Sequence, residues 1–378
     1  MKPDWNLQGL RCLALAVAGT NGKSTTSLLL ERMLQHNQRR TAIFRPYDQP
    51  ATPMLKQSGD LDFLIVQLDS LQLRNAESFR PAVAVLLSLA PDHLDEYGEQ
   101  ETYIRAHAPL FEHQQFFDWA IVQSQALGAL RQCNLPVSAK IITFSASDAS
   151  ADLFVDRGLL VSRLPNWSGP LLDLDHCLLR GPHNAENLLA TLAVGHVLRL
   201  GLDRMLDAIK TFHAGPHRCE LVAEINGVQF INDTKASNLD AMENALRTVR
   251  SHPDHEPNVW LIAGGTDAGQ DFHATGPLLS RKVKGAFLIG EVGPIIQSAW
   301  SLFTPCMLAA SLLEAVAEAA RNATPGDVIL LSPACSGLDQ FRNHQHRGQV
   351  FCEAVKSIGR GELASSPYMH GVPVPAWS

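Results

Sequence analysis

The chain carries the stretch Val17-Ala18-Gly19-Thr20-Asn21-Gly22-Lys23-Ser24-Thr25 between two apolar segments. The run from Leu13 to Val17 is typical of a buried strand, and the segment from Ser24 to Leu34 has apolar residues at helical spacing. A strand, a glycine turn and a helix form an arrangement that can hold a polyphosphate. Glycines let the backbone approach the phosphates, and the helix N-terminus adds partial positive charge. The pattern therefore predicts a nucleotide-binding loop made of Gly19, Thr20, Asn21, Gly22, Lys23, Ser24 and Thr25.

Two side chains of this loop have predicted contacts. Lys23 would reach the outer phosphates of a nucleotide, and Ser24 would offer its hydroxyl to a magnesium ion. The match is imperfect, because the complete pattern has a glycine where this chain has Val17. An ordinary glycine-rich turn between a strand and a helix is the alternative.

Composition limits the class of protein. The chain has 378 residues, 46% hydrophobic and 18% charged, which is typical of a packed globule of two or three domains. A net charge of −7 argues against a nucleic-acid partner, and no apolar run approaches the ~20 residues of a membrane span. The seven cysteines form no CxxC pair, and the N-terminus does not resemble a secretion signal. We therefore expect a cytoplasmic protein that binds neither nucleic acid nor membrane.

Strands and helices alternate along the first half of the chain. The runs Phe63 to Leu68 and Ala82 to Leu89 are nearly all apolar, as expected for parallel strands buried on both faces. Asn184 to Leu200 has a helical period, and Gly215-Pro216-His217-Arg218 then breaks the pattern. The predicted class is α/β, with a first domain over residues 1–213.

The second half begins the alternation again. Asn226-Gly227 predicts a hairpin, and later apolar runs predict an open α/β sheet that resembles a dinucleotide-binding fold without its GxGxxG motif. The last predicted helix runs from Gly348 to Lys356. We place a smaller second domain over residues 214–360 and expect a loosely held, proline-containing tail over residues 361–378.

Several further motifs, in this order along the chain, resemble those of the Mur ligase family, and most of all its glutamate-adding branch. Each is weakly specific alone, but the ordered set is highly specific and spans residues 13 to about 356. The set comprises the glycine loop, Asp92-His93-Leu94-Asp95, His183-Asn184-Ala185-Glu186-Asn187, Gly215-Pro216-His217-Arg218-Cys219-Glu220, Asn232-Asp233-Thr234-Lys235-Ala236-Ser237-Asn238, Leu331-Ser332-Pro333-Ala334-Cys335, Asp339-Gln340-Phe341 and Arg347-Gly348.

The resemblance implies a fold and a reaction. It implies a P-loop central ATPase domain with a mostly parallel sheet, followed by a smaller Rossmann-like C-terminal domain. It also implies ATP and Mg²⁺ as cofactors and an amide-bond-forming reaction between small-molecule carboxylate and amine (amino acid) substrates. The carboxylate would take the γ-phosphoryl group of ATP to become an acyl phosphate, which the amine then attacks with release of phosphate. Two domains that close around ATP would exclude water.

The resemblance also implies residue roles in the first domain. Lys23 would contact the β- and γ-phosphates, Ser24 would bind a first Mg²⁺, and His93 stands where the family places a ligand of a second Mg²⁺. Asn184 and Asn187 match positions that approach the nucleotide.

In the second domain, three positions match nucleotide contacts. Arg218 matches an arginine that reaches ATP, Asp233 an aspartate that holds the ribose, and Lys235 a lysine near the phosphates. A helix-capping loop is the alternative for Asp233 and Lys235, because Asp-Thr is also good capping chemistry. The candidate catalytic residues are Lys23, His93, Lys235 and His107.

Some features depart from the family. Few residues precede Gly19, where muramyl-peptide ligases have a domain that holds the UDP of the substrate. A UDP-sugar substrate would then have to be held another way, for example by a partner protein. Gln67 replaces a metal-binding glutamate and is a weaker ligand for Mg²⁺, although Asp69 shares its strand face. His107 replaces a carbamylated lysine, so it either binds a phosphate oxygen or lies on a surface helix.

The substrate-facing positions also differ. Ala268 stands where the glutamate-adding pattern has a lysine, and Ser336 and His344 are candidates to bind the amino acid instead. Arg45 is either a carboxylate or phosphate contact or part of a solvated loop. The leading hypothesis is an ATP-dependent amide ligase. The alternatives are an ATP-binding subunit that needs a partner chain and a pseudo-ligase without a substrate.

Overall fold

A computed structural model of the chain describes residues 7, 9–46, 50–76, 78–92, 94–252, 254, 256–266, 269–337 and 339–360. The chain divides between Ala214 and Gly215 into two compact units, here called unit 1 and unit 2. Several predicted features lie outside the described residues: His93, Ala268, part of the loop after Arg45, and the tail from residue 361. No helix among the described residues is long and apolar enough to cross a membrane.

Unit 1 is built around one sheet. Its strands, as far as the described residues show, are β1 (Leu13–Ala18), β2 (Thr41–Phe44), β3 (Phe63–Gln67), β4 (Val83–Leu86), β5 (Trp119–Gln123), β6 (Lys140–Ser145), β7 (Leu153–Asp156), β8 (Leu159–Ser162) and β9 (Gly169–Asp173). They are ordered β2-β3-β1-β4-β5-β6-β7-β8-β9. The pairs from β2 to β7 are parallel, whereas β7–β8 and β8–β9 are antiparallel.

Helices lie along this sheet and between its strands. They are α1 (Lys23–His36), α2 (Ala51–Gln57), α3 (Ser70–Leu73), α4 (Leu94–Tyr97), α5 (Gln100–Arg105), α6 (Pro109–Glu112), α7 (Ser124–Gln132), α8 (Pro182–Val197) and α9 (Leu202–Lys210). Short 3₁₀ turns lie at Ser58–Asp60 and Leu174–His176. Alternate residues of β1 enter two different cores: Leu15 and Val17 pack with α1 and α8, and Ala16 packs on the opposite face. Burial on both faces explains the continuous apolar run.

Unit 2 holds a second sheet. Its strands within the described part are β10 (Glu220–Ile225), β11 (Val228–Asn232), β12 (Val259–Gly264), β13 (Val283–Ile289), β14 (Cys306–Leu308) and β15 (Val328–Leu331), in the order β10-β11-β15-β12-β13-β14. Only the β10–β11 hairpin is antiparallel among these pairs. The helices are α10 (Leu239–Thr248), α11 (Gly276–Lys282), α12 (Gly293–Trp300), α13 (Leu312–Asn322) and α14 (His344–Gly359), with a 3₁₀ turn at Phe272–Thr275.

The predicted fold class is confirmed: a central domain with a mostly parallel sheet precedes a smaller α/β domain. Two local features differ from the prediction. The sequence predicts none of the strands β7, β8 and β9, because each is only four or five residues long. The helix α14 begins at His344 instead of Gly348, because Asn343 caps it by accepting a hydrogen bond from the His346 N–H.

Candidate functional site

The glycine loop of unit 1 depends on its two glycines. Gly19 and Gly22 have φ angles of +126° and +85°, which side-chain-bearing residues rarely adopt. A Cβ atom at Gly19 would lie 3.0 Å from the Ser88 carbonyl oxygen, and one at Gly22 would lie under 3.0 Å from the Asn187 side chain. The Thr20 N–H donates to that same Ser88 oxygen at 2.7 Å. The loop is therefore fixed against β4 on one side and α8 on the other.

The positive end of the helix dipole of α1 is not neutralised by a capping side chain or by an acidic residue in the first turn. Gly22 is the N-cap and supplies no side-chain acceptor, and the first turn of this 14-residue helix contains no acidic residue. The first-turn N–H groups and the helix dipole are thus available to an anion. This arrangement is the predicted phosphate-binding geometry.

Lys23 lies over the loop. Its Nζ donates to the carbonyl oxygens of Gly19 at 2.6 Å and Thr20 at 2.8 Å. Desolvation lowers the pKa of the Lys23 ammonium, while the charges of Asp69 and Asp92 raise it. The side chain nevertheless keeps part of its surface accessible, so its charge can reach a ligand.

Asn184 and Asn187 brace this loop from α8. The Thr26 hydroxyl donates to Asn187 Oδ1 at 3.1 Å, and Asn187 Nδ2 donates to Asn184 Oδ1 at 3.2 Å. Asn184 Nδ2 in turn donates to the Arg180 carbonyl at 2.8 Å. Both asparagines are nearly fully buried. The structure brings Asn187 next to Gly22 and bonds it to Thr26, the residue that follows the predicted loop.

Gln67 and Arg45 meet at the carboxyl edge of the sheet. Gln67 is the last residue of β3 and pairs in register with Val17 of β1, while Arg45 directly follows β2. Arg45 Nε donates to Gln67 Oε1 at 3.2 Å, and both residues are half-buried. Neither interpretation of Arg45, as a carboxylate or phosphate contact or as part of a solvated loop, is decided by this contact, because residues 47–49 of its loop lie outside the described residues.

Asp69 is committed in part to local structure. Its Oδ1 accepts the Gln72 N–H at 2.8 Å, and Gln72 Oε1 accepts the Asp69 N–H at 2.9 Å, which forms a capping box at α3. Because β3 ends at Gln67, Asp69 lies beyond the strand and the expectation that it shares a strand face with Gln67 is wrong; one of its oxygens is occupied by the capping box. Ser24, half-buried in the first turn of α1, remains at the position predicted for a magnesium ligand.

His107 is fully buried, so the interpretation as a surface-helix residue is wrong. Its Nδ1–H donates to the Tyr103 carbonyl at 3.0 Å, and its ring lies edge-on to the Tyr103 ring. Burial, with a smaller contribution from the charge of Lys23, lowers the pKa of His107 to about 4. The imidazole is therefore neutral at pH 7, and its buried Nε2 has no hydrogen-bond partner. It is not presented to solvent as a metal ligand.

Tyr103 is a residue that the motifs did not identify. Its hydroxyl lies 2.8 Å from Thr20 Oγ1, which itself donates to the Ala90 carbonyl at 3.0 Å. Burial raises the pKa of this phenol, so it stays protonated. The spacing of Tyr103 and His107, one helical turn apart, was the available signal that both side chains share a face.

Asp233 is the central polar residue of the second predicted surface, in unit 2. It follows β11, and its two carboxylate oxygens accept hydrogen bonds from the Cys219 N–H at 3.1 Å and the Ser332 hydroxyl at 2.9 Å. Burial raises the pKa of Asp233 to about 7, against the lowering influence of these donors and Arg218. The loop after β11 does cap the next helix, α10, but through Asn238 and not through Asp233.

Basic groups surround His344, the first residue of α14. Its pKa is lowered to about 4 by desolvation and, to a smaller extent, by the charges of Lys235, His217, Arg218 and Arg347. Lys235 is exposed, and Arg218 is half-buried. The predicted residues Arg218, Asp233, Lys235 and His344 are therefore close enough to interact, in a region that suits an anionic ligand.

Arg347 organises the loops of this surface, although the motif set gave it no role. It is fully buried and donates to Thr234 Oγ1 at 2.9 Å, the Thr234 carbonyl at 3.0 Å and the Cys335 carbonyl at 3.2 Å. It thus ties the loop after β11 to the loop after β15. Ser336, next to Cys335, pairs with Thr266 through its own carbonyl at 2.8 Å.

Metal ligands are sparse in the part of the chain that the structure describes. No group of three or more His, Cys, Asp and Glu residues there is arranged to hold a metal ion. Oxygen donors near α1, namely the Ser24 hydroxyl and the Asp69 and Asp92 carboxylates, suit one Mg²⁺ in type. A second Mg²⁺ does not fit the neutral Gln67 and the buried His107.

Comparisons with known proteins agree with this geometry. The sequence model of the Mur ligase middle domain matches residues 17–195, and that of the Mur ligase glutamate ligase domain matches residues 217–335. The UDP-N-acetylmuramoylalanine–D-glutamate ligase of Acidobacterium capsulatum is 35% identical over 349 residues, which are 92% of this chain and 74% of that protein.

Solved structures of low sequence identity share the fold. The MurF structure from Acinetobacter baumannii has a TM-score of 0.69 at 16% identity and covers 95% of this chain and 78% of that chain. The MurF ligase from Thermotoga maritima in complex with ADP has a TM-score of 0.67 at 18% identity, with 95% and 82% covered.

Proposed function

Because the chain belongs to the Mur ligase family, we propose that it is an ATP-dependent acid–amino acid ligase that forms an amide bond and releases ADP and phosphate. The observation that carries the proposal is the glycine loop at the uncompensated N-terminus of α1, with Lys23 lying over it. In the proposed reaction, ATP supplies the γ-phosphoryl group that converts a substrate carboxylate into an acyl phosphate. The amine of an amino acid then attacks the carbonyl carbon, and phosphate leaves.

Each residue of unit 1 has a proposed task. The first-turn N–H groups of α1 bind phosphate oxygens, and Lys23 neutralises their charge. Ser24 holds one Mg²⁺, which the nearby carboxylates favour electrostatically. Asn184 and Asn187 keep the loop in its binding conformation and do not themselves need to touch the nucleotide. Tyr103 fixes Thr20 and thereby the start of the loop.

The residues of unit 2 complete the proposal. Asp233 would hold the ribose, and Arg218 and Lys235 would add positive charge near the phosphates. Ser336 and His344 remain candidates to bind the amino acid. The relatives named as D-glutamate ligases make a dicarboxylic amino acid the first amine to test, although the changed substrate positions favour a different acid or amine.

Phosphate release tests the proposal. Purified protein, ATP and Mg²⁺ are combined with pairs of carboxylates and amines, including UDP-N-acetylmuramoyl-L-alanine with D-glutamate. We expect phosphate release that needs both substrates and that Lys23→Ala abolishes, while the variant of an exposed lysine on α2, Lys56→Ala, stays active. Intact binding of an ATP analogue without amine-dependent release across the panel would argue against a ligase.

A second candidate function rests on the altered metal environment. A neutral Gln67 held by Arg45 and a buried His107 favour an ATP-binding subunit that needs a partner chain for catalysis. Mass measurement of the active species separates the two proposals, because a single chain that is active alone excludes the partner-dependent function. A pseudo-ligase would bind nucleotide yet stay inactive even after Gln67→Glu and His107→Lys.

A further inference from the structure

Arg45 lies at the same edge of the sheet as the glycine loop, with β3 between the strands that precede them. The strands β2, β3 and β1 are adjacent and parallel, so their carboxyl ends meet at one edge. Arg45 follows β2, Gln67 ends β3, and the glycine loop follows β1. The Leu68 N–H donates to the Val17 carbonyl at 2.9 Å, which continues the β3–β1 pairing to the start of the loop.

Gln67 orients the guanidinium without neutralising it. Its amide oxygen accepts the Arg45 Nε–H at 3.2 Å, so the group is held at one corner by an uncharged partner. A glutamate at this position would instead form an ion pair and cancel the charge. The Glu31 carboxyl also lies within electrostatic reach of Arg45: burial raises the pKa of Glu31, and the charge of Arg45 lowers it.

The same edge is poor in ligands for a second divalent cation. Gln67 is neutral, and one oxygen of Asp69 accepts a hydrogen bond in a capping box. The Nε2 atom of His107 is buried and has no hydrogen-bond partner. A second Mg²⁺ would also be repelled by the fixed positive charge of Arg45. The residues that the structure describes here therefore fit one metal ion and one guanidinium better than two metal ions.

We propose that Arg45 replaces a second divalent cation, binding the anionic oxygens of the phosphate or acyl phosphate on the substrate side of the phosphate loop. This inference rests on the proposed ligase function. It identifies Arg45 as the group that neutralises the negative charge of the phosphate or acyl phosphate. A guanidinium suits the task because its planar fork presents two parallel N–H donors to a tetrahedral oxyanion. Gln67 is then a positioning residue for Arg45.

Metal stoichiometry gives the first test. Free Mn²⁺ is measured by electron paramagnetic resonance during titration of the full chain with a non-hydrolysable ATP analogue. We expect one Mn²⁺ per chain in the wild-type protein and in Gln67→Glu, because the new carboxylate pairs with Arg45. Two bound Mn²⁺ ions per wild-type chain overturn the proposal.

Phosphate binding gives the second test, with inorganic phosphate as the probe. It is titrated calorimetrically into protein saturated with Mg²⁺ and ADP. Arg45→Ala should weaken phosphate binding at least tenfold, Gln67→Glu should weaken it similarly, and Arg45→Lys should be intermediate. The matched control is Arg40→Ala, which removes an exposed arginine at the other end of β2.

The outcomes separate this inference from the function on which it rests. Equal phosphate affinity in the wild type, Arg45→Ala and Arg40→Ala, or no measurable phosphate binding by the wild type, overturns the role of Arg45 alone when ADP still binds. Failure of the wild-type chain to bind ADP overturns the proposed ligase as well. Loss of phosphate affinity in Arg45→Ala with unchanged ADP affinity supports the inference.

Discussion

Gly22→Ala should destabilise the glycine loop and weaken its binding of nucleotide through two separable effects. Gly22 has a φ angle of +85°, and a non-glycine residue there costs about 1 kcal/mol. The new methyl group would also lie under 3.0 Å from the Asn187 side chain, and overpacking of this kind costs about 1–3 kcal/mol. We expect the free energy of unfolding to fall by about 2–4 kcal/mol. Because the loop shifts, we also expect nucleotide binding to be weakened by a similar free energy.

A matched glycine separates the backbone effect from the steric one. Gly98 has a φ angle of +71° and no heavy atom within 4 Å of an added Cβ. Gly98→Ala should therefore cost only the backbone term of about 1 kcal/mol and leave binding of an ATP analogue unchanged. Urea unfolding followed by circular dichroism measures stability, and calorimetry measures the affinity for the analogue.

A double-mutant cycle then tests the contact itself. Asn187→Ala alone should destabilise by about 1–2 kcal/mol, because the Thr26 hydroxyl loses its acceptor. The same change also makes room for the methyl group of Gly22→Ala, so the double variant should be more stable than the sum of the two by about 1–3 kcal/mol. Two outcomes would refute the argument that α8 fixes the position of the loop. One is that the changes in the free energy of unfolding of Gly22→Ala and Asn187→Ala are strictly additive, and the other is that Gly22→Ala and Gly98→Ala lose equal stability.

Three further predictions concern buried charge. The pKa of Asp233 is raised from 3.8 to about 7, so its contribution to stability is present below pH ~4 and is lost as the pH rises to 7. The free energy of unfolding of the wild type, measured with urea, should fall by up to about 4 kcal/mol over this pH range, and Asp233→Asn should remove that fall. A pH profile of the variant equal to that of the wild type would contradict the prediction. The pKa of His107 is lowered from 6.5 to about 4, so stability falls as the pH drops through that range. His107→Phe should abolish about 3 kcal/mol of that fall, measured likewise, whereas a wild-type acid profile would count against burial of the imidazole. Arg347→Lys should cost about 2–4 kcal/mol, because one ammonium cannot satisfy both Thr234 and Cys335, and thermal unfolding close to the wild type would exclude that.

The sequence predicted the elements whose information is local. The glycine loop and the buried β1 strand could be predicted because glycine spacing, an apolar run and helical periodicity lie within 22 consecutive residues, from Leu13 to Leu34. The two-domain α/β order followed from the same periodicities.

Contacts between distant segments could not be predicted. The approach of Asn187 to Gly22 joins α8 to the first turn of the chain's first helix, and no local pattern contains it. The same holds for the fork of Arg347, which joins two loops from different strands. The burial of His107 could not be predicted because histidine is also an ordinary surface residue, whereas its packing against Tyr103 places it inside the protein.

The differences from the family follow a physical division of the site. The groups that meet a phosphate backbone are N–H donors, glycines and a lysine, and these recognise any nucleotide triphosphate whatever acid receives the phosphoryl group. The groups that differ are Gln67, His107 and the candidate residues Ser336 and His344, which the proposed function links to the metal and amino-acid positions. If Arg45 supplies the charge on the acceptor side, a neutral Gln67 becomes a requirement, because a carboxylate there would pair with the guanidinium and withdraw it from the substrate. Arg45 and Gln67 are then functionally coupled, because each residue requires the other. In the proposed reaction, the acid that receives the phosphoryl group must be one that a guanidinium can bind.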